Sequence, residues 1–402
     1  MTSRERIRAL LAHKLPDRVP NGLGGCETEG LHLVAYDTLQ QVLGVSPQPP
    51  RLDTFMTNAV FEEPVIRAME GDILLLASPN MCKSPLRGGV ESLWKEQTLW
   101  GRTFRVSVHD RFRQNPDGST VWETAGNVVC PANTFFFDSA MPTDLMADFD
   151  VPDPDDFHPR DTLSDETLRQ LEDAARQLYE ETDLSICLGE SITDLQVAPG
   201  GMIGSMILMK EDPDVMRAIV DKYADAGLKQ IELLEQAVGK YVDILSIAHD
   251  FGDNRCVTIG DELWRQIYKP AYARFFQGWK KRTNMAVNFH SCGAVSSILG
   301  DLIECGVQIF NPVQTSAADM SAVSLKERFG KDVIFWGGGY DAQLIPTSAS
   351  YEEVFEAVRA NVKTLGAGGN YIFSGVHNLP ANMPAHHLRA MLDGWRAARD
   401  YT

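Results

Sequence analysis

The sequence predicts a (β/α)8 barrel with a β-rich insertion between its second and third strands. Three observations carry that expectation. Eight short apolar runs, rich in β-branched residues, are spread along the chain, and most end in a polar or glycine-rich turn. Amphipathic helical patterns lie between most of them, the alternation that builds a parallel sheet. Most of the ionisable and metal-ligating side chains follow directly after the runs, at the strand ends that a barrel gathers on one face.

Met1–Arg6 leads into a short amphipathic helix rather than an apolar signal segment. The first strand is weak: Arg18-Val19-Pro20 running into Asn21. The second is Asp72 to Ala77. Leu168, Leu171, Ala175 and Leu178 mark a helix before the third strand, Leu184–Leu188. Asp212 to Val238 is a long amphipathic helix leading to the fourth, Val242–Ile247. Asp261 to Lys280, carrying Leu263, Ile267, Tyr268 and Phe275, precedes the fifth, Met285–Phe289. Val295, Ile298, Leu299, Leu302 and Ile303 then recur at helical spacing. The sixth and seventh strands are Val307–Phe310 and Asp332–Trp336; the helix Tyr351–Leu365 precedes the eighth, Asn370–Phe373.

The stretch between the second and third strands is too long for one connecting helix. Within it, Trp100–Val106 and Ser119–Glu123 flank Asn115-Pro116-Asp117-Gly118, which predicts a hairpin. Val151-Pro152-Asp153-Pro154-Asp155-Asp156 reads as a stiff acidic linker back to the barrel. Residues 81–160 are therefore expected to form a hairpin-containing insertion near the mouth of a single barrel domain spanning 1–402.

A net charge of −18 argues against nucleic acid as a partner, because phosphates would be repelled. The longest apolar runs fall far short of a membrane span, and the expected location is cytoplasmic. Seven cysteines without regular spacing do not form a disulfide framework; Cys187 and Cys305 read as core thiols.

Cys292 is different. In His290-Ser291-Cys292-Gly293 an imidazole and a thiol stand two residues apart where a strand becomes a helix, and both are good zinc ligands. His377, in Ser374-Gly375-Val376-His377-Asn378 after the eighth strand, is a candidate third ligand. Glu190, after the third strand, is a candidate fourth ligand, general acid or substrate anchor. The fourth strand offers His249 for substrate binding and Asp250 as an acid. Asn311 and Gln314 follow the sixth, to bind substrate or to orient a ligand by hydrogen bonding to it. Tyr340 is a further candidate for substrate binding, after Gly337-Gly338-Gly339. That glycine run lacks the spacing and lysine of a phosphate-binding loop, so close backbone approach explains it better. The first strand end offers Cys26, Glu27 and Glu29 in a glycine-rich loop. His386 and His387, on a C-terminal helix, are expected to be solvated.

Taken together these residues resemble the uroporphyrinogen decarboxylase superfamily, in particular its corrinoid-dependent methyltransferase branch. The similarity starts at Arg4-Glu5-Arg6 with Leu15-Pro16-Asp17-Arg18-Val19-Pro20. It includes Phe289-His290-Ser291-Cys292-Gly293 and Asn311-Pro312-Val313-Gln314, and ends at Gly368–Phe373 with His377-Asn378. The resemblance implies a zinc-assisted transfer of a methyl group between a small O-, N- or S-methyl substrate and the cobalt of a corrinoid (cobalamin) carried by a separate protein. In the methylcobamide:coenzyme M methyltransferases a His, the Cys two residues later and a distant Cys hold zinc. His290 and Cys292 match the first two, and the distant Cys falls at His377. Imidazole in place of thiolate leaves one protein charge instead of two, so bound zinc would be a stronger Lewis acid. Resembling proteins are often dimers, so a homodimer is one option. The decarboxylases hold substrate carboxylates with an arginine-containing stretch; here that region is Asn21–Glu27 and acidic. A pocket built from Arg51, Arg102 and Arg105 would favour a decarboxylase or lyase instead, and a catalytically silent barrel is the remaining alternative.

Overall fold

The computed structural model describes residues 1–46, 48–52, 57–76, 94–126, 128–137, 153–189, 198–199 and 201–401. Its strands are β1 (Ile73–Leu76), β2 (Trp94–Leu99), β3 (Arg102–Ser107), β4 (Phe112–Gln114), β5 (Thr120–Trp122), β6 (Val128–Cys130), β7 (Ser185–Leu188), β8 (Ile244–Ala248), β9 (Ala286–His290), β10 (Ile309–Asn311), β11 (Ile334–Trp336) and β12 (Tyr371–Ile372). Its α-helices are α1 (Ser3–Leu11), α2 (Leu33–Leu43), α3 (Glu63–Ala68), α4 (Asp165–Glu181), α5 (Gly201–Glu211), α6 (Pro213–Val238), α7 (Asp261–Lys280), α8 (Ser296–Cys305), α9 (Ala322–Phe329), α10 (Tyr351–Gly366) and α11 (Ala385–Arg396).

Seven strands form one parallel sheet in the order β1-β7-β8-β9-β10-β11-β12. They are buried on both faces, which is why their sequences read as apolar runs rather than alternating patterns. The predicted first strand shrinks to a single rung. Asn21 pairs in parallel with Phe373, just past β12. Phe373 N–H donates to Pro20 O and Gly22 N–H to Phe373 O, both at 2.8 Å. On the other side Asp72 N–H donates to Asn21 O at 2.8 Å, so the ring closes. Pro20 has no N–H to give, which helps explain why the ladder goes no further.

The closing rung is pinned by charge. The Asp72 carboxylate is fully buried, accepts from Asn21 N–H at 2.8 Å, and pairs with Arg6 at 2.6 Å and Arg18 at 2.8 Å. Arg6 lies on α1, whose Ile7 and Leu10 pack with Ile73, Ile244, Ala286, Ile309 and Ile334. Those five are the first residues of their strands, so α1 closes the N-terminal end of the barrel. The opposite end is left for chemistry.

Helix ends follow local signals. Asp212 caps α6 by accepting from Val215 N–H, with Pro213 in the first turn. Ser350 and Glu353 form a reciprocal capping box at α10. Among the described residues, no helix is long and apolar enough to cross a membrane, and six cysteines are free thiols.

The insertion differs from expectation in its pairing. Asn115–Gly118 does turn a hairpin, but it joins β4 to β5, to which β6 adds a third strand. Residues 102–107 pair instead with β2. Their turn is Trp100-Gly101, both at positive φ (51° and 70°), which suits a two-residue hairpin. A tryptophan seldom takes that conformation, so the turn does not stand out in the sequence. Residues 81–93, 127 and 138–152 of the expected insertion lie outside the described residues.

Replacing Asp72 by Ala should destabilise the fold by about 2–4 kcal/mol, because Arg6 and Arg18 both lose their fully buried partner at the closing rung and Asn21 N–H loses its acceptor, although Arg6 keeps Asp17. A lower urea midpoint measures it; an unchanged midpoint would mean that the barrel closes without the pair.

Candidate metal centre

The register of the sheet assembles the site. Parallel pairing of β9 with β10 sets His290 opposite Asn311, and pairing with β8 sets it opposite Ala248. All three are the last residues of their strands. His290 Nδ1 lies 2.6 Å from Asn311 Oδ1. Asn311 Nδ2 meets two acceptors, Glu29 Oε1 at 2.5 Å and Trp336 O at 3.2 Å. The amide oxygen must therefore face the ring, so His290 carries its proton on Nδ1 and leaves Nε2 bare.

The chain then turns back on itself. Gly293 sits at φ +88°, and a Cβ there would lie 2.4 Å from Gly252 C and 2.5 Å from Asp253 O. Only glycine permits this approach. Gly293 N–H donates to Gln314 Oε1 at 2.8 Å, and Cys292 N–H donates to Asp250 Oδ1 at 2.8 Å. Held this way, Cys292 Sγ lies 3.3 Å from His290 Nε2.

His377 arrives from the other side of the mouth, beyond β12, in a left-handed conformation at φ 63°. Its ring stands 5.2 Å from that of His290, tilted by 69°. One ligand atom each from His290, Cys292 and His377 lie within 4.8 Å of one another. The edges of a tetrahedral zinc site are about 3.5 Å, so closing the set takes a side-chain adjustment in which the His377 ring gives up its bond to the Asn378 main chain. The His377 Nδ1 accepts from Asn378 N–H at 2.8 Å.

Burial keeps both imidazoles neutral, the form that binds metal. It lowers His290, with the nearby Asp250 pulling the other way. It lowers His377 to about 4, with repulsion from His290 adding to it. Asp250 is exposed, with Oδ1 3.7 Å from His290 Nε2. Glu29 is fully buried, and burial pushes its carboxyl up to about 8 against donors from Ser374, Asn311 and the His377 main chain.

Two cavities open here. One of about 450 Å³ is lined by Cys292, His377, Gln314, Asp341 and Asn254, among others. A second of about 360 Å³ is lined by His249, Asp250, Phe251, Met206, Met209 and Tyr268, among others. They share Gly252 and Asp253, and among the described residues neither is lined by lysine or arginine.

Other predicted residues fall elsewhere or take structural bonds. Glu190 lies outside the described residues. Gln314 clamps the turn, bonding Gly293 and donating to Asn254 at 2.7 Å. His249 is buried in an aromatic cluster, bonded to the Tyr272 hydroxyl at 2.8 Å and 4.1 Å from the Phe251 ring. Tyr340 is buried with its hydroxyl 3.0 Å from His387 Nδ1. His387 is therefore buried, not solvated: its other nitrogen meets Ala349 O at 2.8 Å, while His386 is exposed as expected. Arg51 and Arg102 pair with Glu62 and Asp37, which takes both from the basic pocket considered above. The Gly337–Gly339 run does serve close approach: a Cβ at Gly339 would lie 2.4 Å from the Phe373 ring. Sequence reasoning noted Glu29 and Ser374 at strand ends but gave them no role; their positions just after the barrel-closing segments were the available signal.

Acid should weaken this fold through buried histidines. Burial holds His249 at about 3 and His32 at about 4, against an ordinary value near 6.5. Below about pH 6.5 the unfolded chain gains protons that the folded chain refuses. Stability is therefore full above that pH and is lost as pH falls toward 4, by up to about 1.4 kcal/mol per pH unit for each histidine. His249→Gln should flatten the dependence, as followed by denaturation across pH 4–7; an unchanged slope would contradict the assignment.

No functionally curated protein matches the chain. Over 99% of its length, and 99% of the other's, it resembles the structure of a methyltransferase from Methanosarcina mazei, with a TM-score of 0.55 and 16% sequence identity, a likeness of fold. The family model for uroporphyrinogen decarboxylase (URO-D) matches residues 160–398, more than half of the chain, including every candidate ligand. With its parallel barrel and its site at the strand ends, the chain belongs to the uroporphyrinogen decarboxylase family.

Proposed function

We propose that this protein is a zinc-assisted, corrinoid-dependent methyltransferase, moving a methyl group between a small O-, N- or S-methyl substrate and the cobalt of a corrinoid on a separate protein. The observation that carries this reading is the convergence of His290, Cys292 and His377 at the barrel mouth, with one ring already oriented by Asn311. The donor set of two neutral imidazoles and a thiol suits zinc. Bound there, zinc would act as a Lewis acid on the leaving oxygen, nitrogen or sulfur. The fold likeness to a methyltransferase supports the reading.

The chain's own residues have defined tasks in it. Asn311 holds His290 in the ligating tautomer, and Asp250 and Gln314 hold the turn that presents Cys292. The adjoining cavity of about 450 Å³ suits a small substrate. As the heteroatom–methyl bond breaks, the methyl group goes to cobalt(I), which supplies the new bond's electron pair. The heteroatom would leave with its own pair and take a proton from solvent, passed on by water beside exposed Asp250. The acidic chain would meet its corrinoid partner through a complementary patch on that protein. Cavities without lysine or arginine among the described residues weigh against a polycarboxylate substrate.

Purified wild type should carry about one zinc per chain, lost in Cys292→Ser and in His377→Ala while the fold is retained. A wild type that neither holds nor takes up zinc would overturn the metal assignment. With zinc bound, Asp250→Asn should slow methylation of cob(I)alamin about 100-fold or more without emptying the metal site. An unchanged rate would remove Asp250 from the proton's path.

A further inference from the structure

We infer that Glu29 is the positioning residue of the metal centre, joining both imidazole ligands through one buried carboxyl; this rests on the zinc reading of His290, Cys292 and His377. Glu29 lies on the loop that follows the barrel-closing Asn21, and it is fully buried. One oxygen accepts from Asn311 Nδ2 at 2.5 Å, and Asn311 Oδ1 in turn holds His290 Nδ1 at 2.6 Å. The other oxygen meets the Ser374 hydroxyl, three residues before His377. The main-chain N–H of His377 also lies near the carboxyl and favours its charged form. One side chain from the first segment of the barrel thus reaches the sixth strand position and the last, and through them both imidazoles.

The surroundings are fitted to a carboxyl. A Cβ on Gly337 would come within 3.1 Å of Glu29 Oε1, so glycine there leaves room for it. No lysine or arginine among the described residues bonds to it, and every partner is a neutral donor. An acid buried without a cation costs stability, and the fold alone gives no return for it. A return comes at the site. Oε1 accepts from Asn311 Nδ2 and Oε2 meets the Ser374 hydroxyl, which can accept any proton the carboxyl carries, so Oε1 stays an acceptor and fixes which way the Asn311 amide faces. The amide then fixes the His290 tautomer, and the bare Nε2 is the atom that points at Cys292.

Glu29→Gln is nearly isosteric but replaces one carboxyl oxygen by an amide N–H. Where that N–H faces Asn311, Trp336 O at 3.2 Å is the acceptor left to Asn311 Nδ2, and the preference of His290 for Nδ1–H weakens. Zinc titration of the full-length chain should show affinity reduced about 10- to 100-fold. Nitrogen-15 NMR of histidine-labelled, zinc-free protein should show His290 as the Nδ1–H tautomer in wild type and as a mixture in the variant. Ser374→Ala, which leaves the Glu29–Asn311–His290 line intact, should keep the tautomer. A folded Glu29→Gln with wild-type zinc affinity and wild-type tautomer would overturn the inference and leave the zinc site standing. A wild type that binds no zinc would overturn both, and its tautomer would still report whether the relay exists. Should the variant fail to fold, a mixed or Nε2–H His290 in wild type overturns the inference by itself.

Discussion

The barrel closes on one residue. Asn21 joins the last strand to the first by main-chain bonds on both sides, and the buried Asp72 carboxylate with Arg6 and Arg18 holds it there. Every functional feature depends on that closure. Without it, the loop bearing Glu29 and the loop bearing His377 would have no fixed relation to β9 and β10. With it, residues separated by most of the chain's length come into hydrogen-bond contact: Glu29 with Asn311, and Glu29 with Ser374. The N-terminal end is filled by α1 and apolar strand starts, so polar groups concentrate at the other end.

That other end has an economical electrostatic design. Burial keeps the imidazoles neutral, and an amide rather than a carboxylate bonds to His290 directly. The carboxyl that orders the network stands one residue further back. The acid that is exposed, Asp250, is also the one that holds the Cys292 main chain. One exposed side chain thus both holds the Cys292 turn and stands beside the cluster, while the buried side carries the bonds that orient His290.

Much of this was legible in the sequence, for physical reasons. Strands buried on both faces must be continuous apolar runs, so β7 to β12 stand out, and α7 lies at its predicted bounds of Asp261 and Lys280. His290, Cys292 and His377 were visible because they follow strands directly, and a barrel gathers strand ends. What the sequence hid depends on pairing across long separations. The first strand is a single rung made by main-chain bonds, so it has almost no pattern of its own. The β2–β3 turn rests on a tryptophan at positive φ, which composition does not announce. Tyr340 looked like a site residue because it follows a strand, yet its hydroxyl is taken by His387 on a distant helix. The importance of Glu29 lies in partners some hundreds of residues away, and no local motif records them.

A metal shared by two imidazoles and one thiolate at the barrel mouth would be visible in X-ray absorption at the zinc edge of the loaded wild-type protein. One sulfur at about 2.3 Å and two imidazole nitrogens at about 2.0–2.1 Å are expected, with any remaining position filled by a light atom. A spectrum without sulfur, or with more than one, would contradict it.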